Sequence, residues 1–257
     1  MRELWGGLRS ALVFWPLIVL YTLLLEPVSL LASCFRGGRR VQHRVLRLWS
    51  GWVLWTLGMP VTTVGLEGVD ASRPRVYVAN HLSGLDIPVL YCHLPFPFRI
   101  AAHRLVFRVP LVGRQLRSSG ELEMDSESLA LSRRALRGAV ASLGAGLPLV
   151  VFPEGKRSPT GEMLPFRRGA FHVAIRAGAD VVPMAILGTY EALPTGAMCF
   201  RPRSLGLIVG EPIPVARYNL RQSGELAARA QAAVAELCRR GQQQPRAEAP
   251  AAISKSA

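Results

Sequence analysis

Apolar residues dominate the first part of the chain and then give way to short apolar blocks set between polar, helix-patterned stretches. Residues 11–25 carry no charge, Glu26 and Pro27 interrupt the run, and 28–35 resumes it. A bilayer span needs about 20 apolar residues, so the total length suffices. Pro16 and Pro27 remove helix hydrogen bonds, and a glutamate at bilayer depth costs at least a few kcal/mol. The pattern therefore predicts either a kinked span or a helix that dips in from one face. No secretory cleavage pattern follows the run, so it does not read as a removable signal. Arg36, Arg39, Arg40, Arg44 and Arg47 come next with no acid among them, which predicts the cytoplasmic, anionic-lipid side of a membrane. Trp49, Trp52 and Trp55 recur at every third position and predict a second, interfacial helix over 45–59; an ordinary core helix is the other reading.

From residue 61 the period changes. Apolar runs at 61–66, 75–79, 98–102, 122–124, 147–152, 181–187 and 205–210 predict strands. Helical patterns at 87–94, 110–117, 128–143, 168–177 and 225–240 fall between or after them. The alternation predicts an α/β domain over 61–241, a mixed β-sheet flanked by helices, behind a membrane-anchoring helical segment at 1–60. Residues 242–257 are Gln-, Pro- and Ala-rich and predict a disordered tail.

Charge narrows the partners. Thirty-one Lys and Arg face 17 Asp and Glu, a formal +14, which suits an anionic lipid surface, a phosphorylated substrate or nucleic acid. Aromatics make up 7% and no nucleic-acid recognition motif appears, so nucleic acid ranks low. Cys34, Cys92, Cys199 and Cys238 are scattered and form no CxxC pair, predicting neither a disulfide framework nor a zinc site. Between Ile87 and Gly120 stand Arg99, Arg104, Arg108, Arg114 and Arg117 without an acid. They read as a surface for coenzyme A phosphates, an acidic carrier protein or anionic headgroups, or simply as a solvated face.

Two stretches carry chemistry. Residues 76–86 run from an apolar strand through Asn80-His81-Leu82-Ser83-Gly84 to Asp86, and strand ends in α/β sheets are where sites are built. Residues five apart in a helix sit about 140° apart, so His81 and Asp86 meet only if His81 lies in the turn and Asp86 opens the helix. The carboxylate would then fix the tautomer and stabilise the imidazolium formed when His81 accepts a proton. Asp86 as a mere N-cap is the plainer reading. The second stretch, Phe152-Pro153-Glu154-Gly155-Lys156-Arg157-Ser158, is again a strand opening into a loop. Gly155 permits close backbone approach, and Lys156 and Arg157 make an anion site. Arg167 and Arg168 add two cations before a helix, where free amides also favour an anion.

Together, Asn80-His81 with Asp86, and the 152–158 block about 70 residues later, resemble the motifs of the glycerolipid acyltransferases, the 1-acylglycerol-3-phosphate acyltransferase family. Val182-Pro183-Met184-Ala185-Ile186 is similar to that family's fourth block, and the likeness runs from about Val61 to Pro214. It implies His81 as general base, Asp86 as its partner, and Asn80, Glu154, Gly155, Lys156 and Arg157 at the substrate, with Arg157 and Glu154 on the acceptor head. It departs at Gly120-Glu121-Leu122-Glu123-Met124-Asp125-Ser126, where Ser126 takes the place of an arginine that grips the acceptor phosphate. His103-Arg104 replaces a frequent lysine pair, and Lys156 a threonine. No G-x-S-x-G elbow is present and no Cys stands beside His81, so direct transfer from an acyl thioester is expected, without a covalent acyl-enzyme. A backbone amide near Gly155, helped by His103 or Arg104, would face the oxyanion.

The expected activity is therefore membrane-bound transfer of an acyl group from acyl-CoA or acyl-carrier protein to a lysophospholipid hydroxyl. The acceptor is 1-acylglycerol-3-phosphate, giving phosphatidic acid, or another lysolipid such as a lyso-aminolipid. A lipid hydrolase and a silent membrane-binding module are the competing classes. No cofactor and no metal are expected, and the expected location is the cytoplasmic face of the inner membrane.

Overall fold

The computed structural model describes residues 2–35, 37–70, 73–124 and 129–243. Arg36 of the arginine cluster, the Asp125-Ser126 pair and the tail from 244 onward lie outside the described residues.

The apolar N-terminus forms one helical run, α1 (Arg2–Arg9), a wide π-type turn at Ser10–Phe14 and α2 (Trp15–Ser33). The wide turn stands just before Pro16, whose ring would otherwise crowd the carbonyl one turn back. From Trp5 to Ser33 the run is long and apolar enough to cross a membrane, by length and composition. Neither Glu26 nor Pro27 ends it. Glu26 is turned inward and buried, which removes it from the apolar outer face.

A left-handed Gly37 starts α3 (Gly38–Thr56), which is longer than the tryptophan pattern predicts. The extra turns are polar, and their packing is carried by buried Gly38 and Gln42 rather than by apolar side chains. The α2 and α3 helices pair as an antiparallel hairpin. Tyr21 bonds Thr56 (2.8 Å) and stacks edge-on against Trp52, while Trp49 bonds Thr22. The tryptophans thus do not share one outward side; Trp55 alone of the three faces out, 80% exposed.

All seven expected strands are present: β1 (Val61–Val64), β2 (Val76–Ala79), β3 (Arg99–His103), β4 (Leu122–Met124), β5 (Leu149–Val151), β6 (Val181–Leu187) and β7 (Leu205–Val209). Helices α4 (Asp86–His93), α5 (Arg104–Phe107), α6 (Val112–Ser119) and α7 (Leu129–Gly144) precede β5. They are followed by α8 (Gly169–Ala177), α9 (Thr189–Ala192) and α10 (Ser223–Gln243). The sheet order is β1-β7-β6-β2-β5-β3-β4, and every neighbouring pair is parallel except β6 with β7. This is the mixed α/β sheet that the alternating pattern predicts.

Side chains alternate across the central strands because successive residues point to opposite faces. Tyr77 and Ala79 join α3 and α4 in one core through Val53, Leu54, Val89 and Leu90. Val76 and Val78 join α7, α8 and α10 in the other through Ala139, Phe171 and Ala230. The N-terminal hairpin is therefore built into the first core rather than tethered to it. β2 lies mid-sheet between β5 and β6, and its C-terminal end meets theirs. That is where the two motif loops emerge.

Candidate active site

Asn80 extends β2 by one residue through its side chain. Its amide nitrogen donates to Ile186 O and its oxygen accepts from Ile186 N, both 2.8 Å, so it imitates a strand backbone. The chain leaving the sheet is thereby fixed. His81 follows, and its own backbone is held by the neighbouring loop: His81 N donates to Glu154 Oε1 (2.7 Å), and Ser158 N donates to His81 O (2.9 Å).

Asp86 is the first residue of α4 and is fully buried. Its Oδ2 accepts from Leu82 N (2.8 Å) and Ser83 N (2.9 Å) and lies 2.8 Å from His81 Nδ1. The 81–86 loop is wrapped around that one oxygen, and Leu85, not Asp86, occupies the N-cap position. An ionised carboxylate only accepts, so His81 Nδ1 carries the proton and Nε2 is left bare. Among the described residues nothing bonds Nε2. The ring lies flat on Phe152, centroids 3.9 Å apart and planes 13° from parallel. Phe152 is the site residue that sequence reasoning passed over, although it sits inside the second motif. Ser83 braces the turn: its buried hydroxyl donates to Leu193 O (2.7 Å) and accepts from Leu85 N (3.2 Å).

The sequence places Glu154 and Asn80 at the substrate, but the structure engages their polar atoms with backbone. Glu154 is 2% exposed; one oxygen takes His81 N and the other takes Leu164 N (2.8 Å). Burial raises its carboxyl above the ordinary glutamate range, against the pull of the two amides. Both residues position the loop rather than reach outward.

Gly155 has φ +77°, a conformation that favours glycine, and Arg167 lies against it. A Cβ there would stand 3.2 Å from Arg167 Nε. The Gly155 amide donates to Phe152 O (3.1 Å) and closes a turn. The next two amides, of Lys156 and Arg157, have no partner among the described residues. Lys156 and Arg157 are exposed, with Arg157 Nη1 3.6 Å from where a Gly84 Cβ would be, beside the His81–Asp86 loop. Arg167 and Arg168 diverge: the second packs near Gly224. His103 caps α5, its Nδ1 accepting from Leu105 N (3.3 Å), and Arg104 opens that helix. The pair stands at the end of β3, on the far side of β5 from His81.

An acyltransferase family model matches residues 60–187, from the entry of β1 to the end of β6. A 1-acyl-sn-glycerol-3-phosphate acyltransferase of Chlamydomonas reinhardtii is 32% identical over 212 residues, 82% of this chain and 61% of that protein. An enzyme of the same name from Saccharomyces cerevisiae is 32% identical over 181 residues, 66% of this chain and 57% of its own. The human 1-acyl-sn-glycerol-3-phosphate acyltransferase alpha is 30% identical over 62% of this chain and 56% of its own. The chain thus spans about half to three-fifths of the length of these curated relatives. The crystal structure of the 1-acyl-sn-glycerophosphate acyltransferase PlsC from Thermotoga maritima superposes with a TM-score of 0.83 at 25% identity, covering 96% of this chain and 100% of that one. By the family model, these relatives and the shared fold, the chain belongs to the acyltransferase family.

Proposed function

We propose that the protein transfers an acyl group from a thioester, acyl-CoA or acyl-carrier protein, to the free hydroxyl of 1-acylglycerol-3-phosphate at a membrane surface. The observation that carries the reading is the 2.8 Å contact of His81 Nδ1 with a buried carboxylate, with Nε2 bare and the ring 18% exposed. Nε2 takes the hydroxyl proton as the oxygen attacks the thioester carbonyl, and the buried Asp86 stabilises the imidazolium. The tetrahedral oxyanion collapses with cleavage of the C–S bond, and the departing thiolate takes up the proton. The Lys156 and Arg157 amides, without a partner among the described residues, are candidate donors for that oxyanion, and Arg157 and Arg167, exposed beside the two loops, suit a phosphate headgroup.

The membrane reading rests on the hairpin. At one end the N-terminal helical run is tied to the domain by Trp15 Nε1 donating to Met198 O (2.8 Å) and Phe200 N donating to Ser10 Oγ (3.0 Å). At the other end Ser29 Oγ donates to Gln115 Oε1 in α6. A helix fastened along the domain at both ends reads as lying in one leaflet with its apolar face outward, rather than crossing the bilayer. Leu12, Leu20, Leu24 and Leu31 make up that face.

The test is incubation of the purified protein with a labelled acyl thioester and a panel of lysolipids with and without a phosphate headgroup, products read by mass. Diacylated product formed preferentially from 1-acylglycerol-3-phosphate supports the reading, and free fatty acid alone would point to hydrolysis. Ser126 in the position of a phosphate-gripping arginine favours a second acceptor class, which the non-phosphate members of the panel would reveal.

A further inference from the structure

Large apolar side chains exposed on this molecule are not scattered. Most belong to α1–α3, from Trp5 to Trp55, and account for the hairpin face. A second group is compact: Leu105 (56% exposed), Val106 (40%), Val109 (47%) and Val112 (39%) fall within eight consecutive residues on α5, its exit loop and the start of α6. Single exposed apolar residues need no explanation, but a contiguous group does. Within this segment Phe107 is buried and anchors it to the domain, while Leu105, Val106, Val109 and Val112 are exposed. Leu111 has φ +64° and ψ −60°, a conformation unfavourable for leucine, and such strain gathers at working segments.

What covers the group follows from its neighbours. The segment continues from the C-terminal end of β3, on the same end of the sheet that carries His81. Its following helix, α6, is fastened to the hairpin: Gln115 to Ser29 of α2, and Ser118 Oγ to Gln42 Nε2 of α3 (3.0 Å). The exposed apolar residues are therefore attached to the element read as lying in the bilayer. Their surroundings are cationic, since Arg99, Arg104, Arg108, Arg114 and Arg117 have no acid between them in sequence. Apolar side chains interleaved with arginines suit an anionic bilayer surface, where the former enter the acyl region and the latter stay among the headgroups.

We infer that residues 105–112 form a second bilayer-inserting element, distinct from the hairpin, which sets the mouth of the site into the membrane and admits an embedded acceptor. This rests on the membrane-surface reading above, and the test keeps the two apart. Amide exchange of the full chain is measured with and without vesicles of equal phosphatidylcholine and phosphatidylglycerol. Slowed exchange in both α2 and 105–112 is expected. Protection of α2 alone overturns this inference and leaves the hairpin reading standing; protection of neither overturns both.

A second measurement uses Leu105→Glu with Val109→Glu, and as its counterpart Leu20→Glu with Leu24→Glu in the hairpin. The first pair should lower acylation of long-chain lysolipid in the same vesicles at least tenfold. It should leave acylation of a short-chain, monomeric acceptor unchanged and vesicle co-sedimentation largely intact. The hairpin pair should abolish co-sedimentation. Unchanged vesicle activity in the 105/109 variant, or a parallel loss on the monomeric acceptor, would contradict the inference.

Discussion

The loops at the end of β2 and β5 and the N-terminal hairpin are built on opposite terms. In the loops, polar groups face inward and most are matched: Asp86 Oδ2 takes two amides and an imidazole, Glu154 takes two amides, and Asn80 replaces a strand residue, while Asp86 Oδ1 has no partner among the described residues. In the hairpin, apolar groups face outward and are unmatched, Leu31 at 64% and Trp55 at 80% exposed among them. Proton transfer needs atoms held within hydrogen-bond reach, and buried, satisfied polar groups hold them. A large apolar face on a folded chain marks a surface that contacts something other than water. On the proposed function the two regions have separate roles, one fixing the chemistry and the other where it happens.

That division can be broken from either side. The largest effect expected is on Asp86→Asn. Asparagine can keep the amide contacts of the 81–86 loop but loses the charge opposite the imidazolium, so turnover should fall by about 10²–10⁴-fold. Vesicle binding should not change, and steady-state kinetics beside co-sedimentation checks both.

Next comes a group that belongs to neither region. Glu121 bonds Ile100 N (2.6 Å) and Tyr91 Oη (3.3 Å), and burial pushes its carboxyl up to about 7. In the unfolded chain this proton leaves near pH 4.5, as from an ordinary glutamate, so between there and about 7 the folded state binds more protons. Stability from this group is complete below that window and falls as pH rises through it, by up to about 3 kcal/mol. Glu121→Gln should flatten that slope in urea unfolding series across the window.

A smaller cost is expected for Glu154→Gln, where an amide nitrogen replaces one carboxylate oxygen and faces a backbone N–H. Loss of one acceptor should reduce stability by about 1–3 kcal/mol. It should also lower activity through His81, whose backbone it holds, and chemical denaturation with kinetics on the same sample reads both. The smallest change is expected for Trp55→Ala. Exposed as it is, it should move unfolding stability by less than about 0.5 kcal/mol while weakening vesicle binding.

Much of this was legible in the chain. The strand at 181–187 coincides with its apolar run, because a strand buried on both faces must be continuous in apolar residues. His81 and Asp86 were legible as a pair because the turn between them is short. What escaped is contact across long separations. Glu154 reads as a ligand for substrate until it is seen to take an amide 73 residues away, and Asn80 until it meets Ile186, 106 residues on. No local pattern encodes either partner. The start of α3 escaped for a different reason, since buried Gln42 is polar and breaks the apolar period on which helix assignment depends. The stacking of His81 on Phe152 was equally out of reach, because β2 and β5 are sheet neighbours but not chain neighbours.

The proposed chemistry depends on a bare His81 Nε2 taking the proton of a lipid hydroxyl. The decisive experiment is the rate at which His81→Ala converts 1-acylglycerol-3-phosphate with a labelled acyl thioester, in vesicles to which it binds like the unaltered protein. A loss of about 10²–10⁴-fold in turnover is expected. Near-normal turnover by His81→Ala would refute the role given to this histidine.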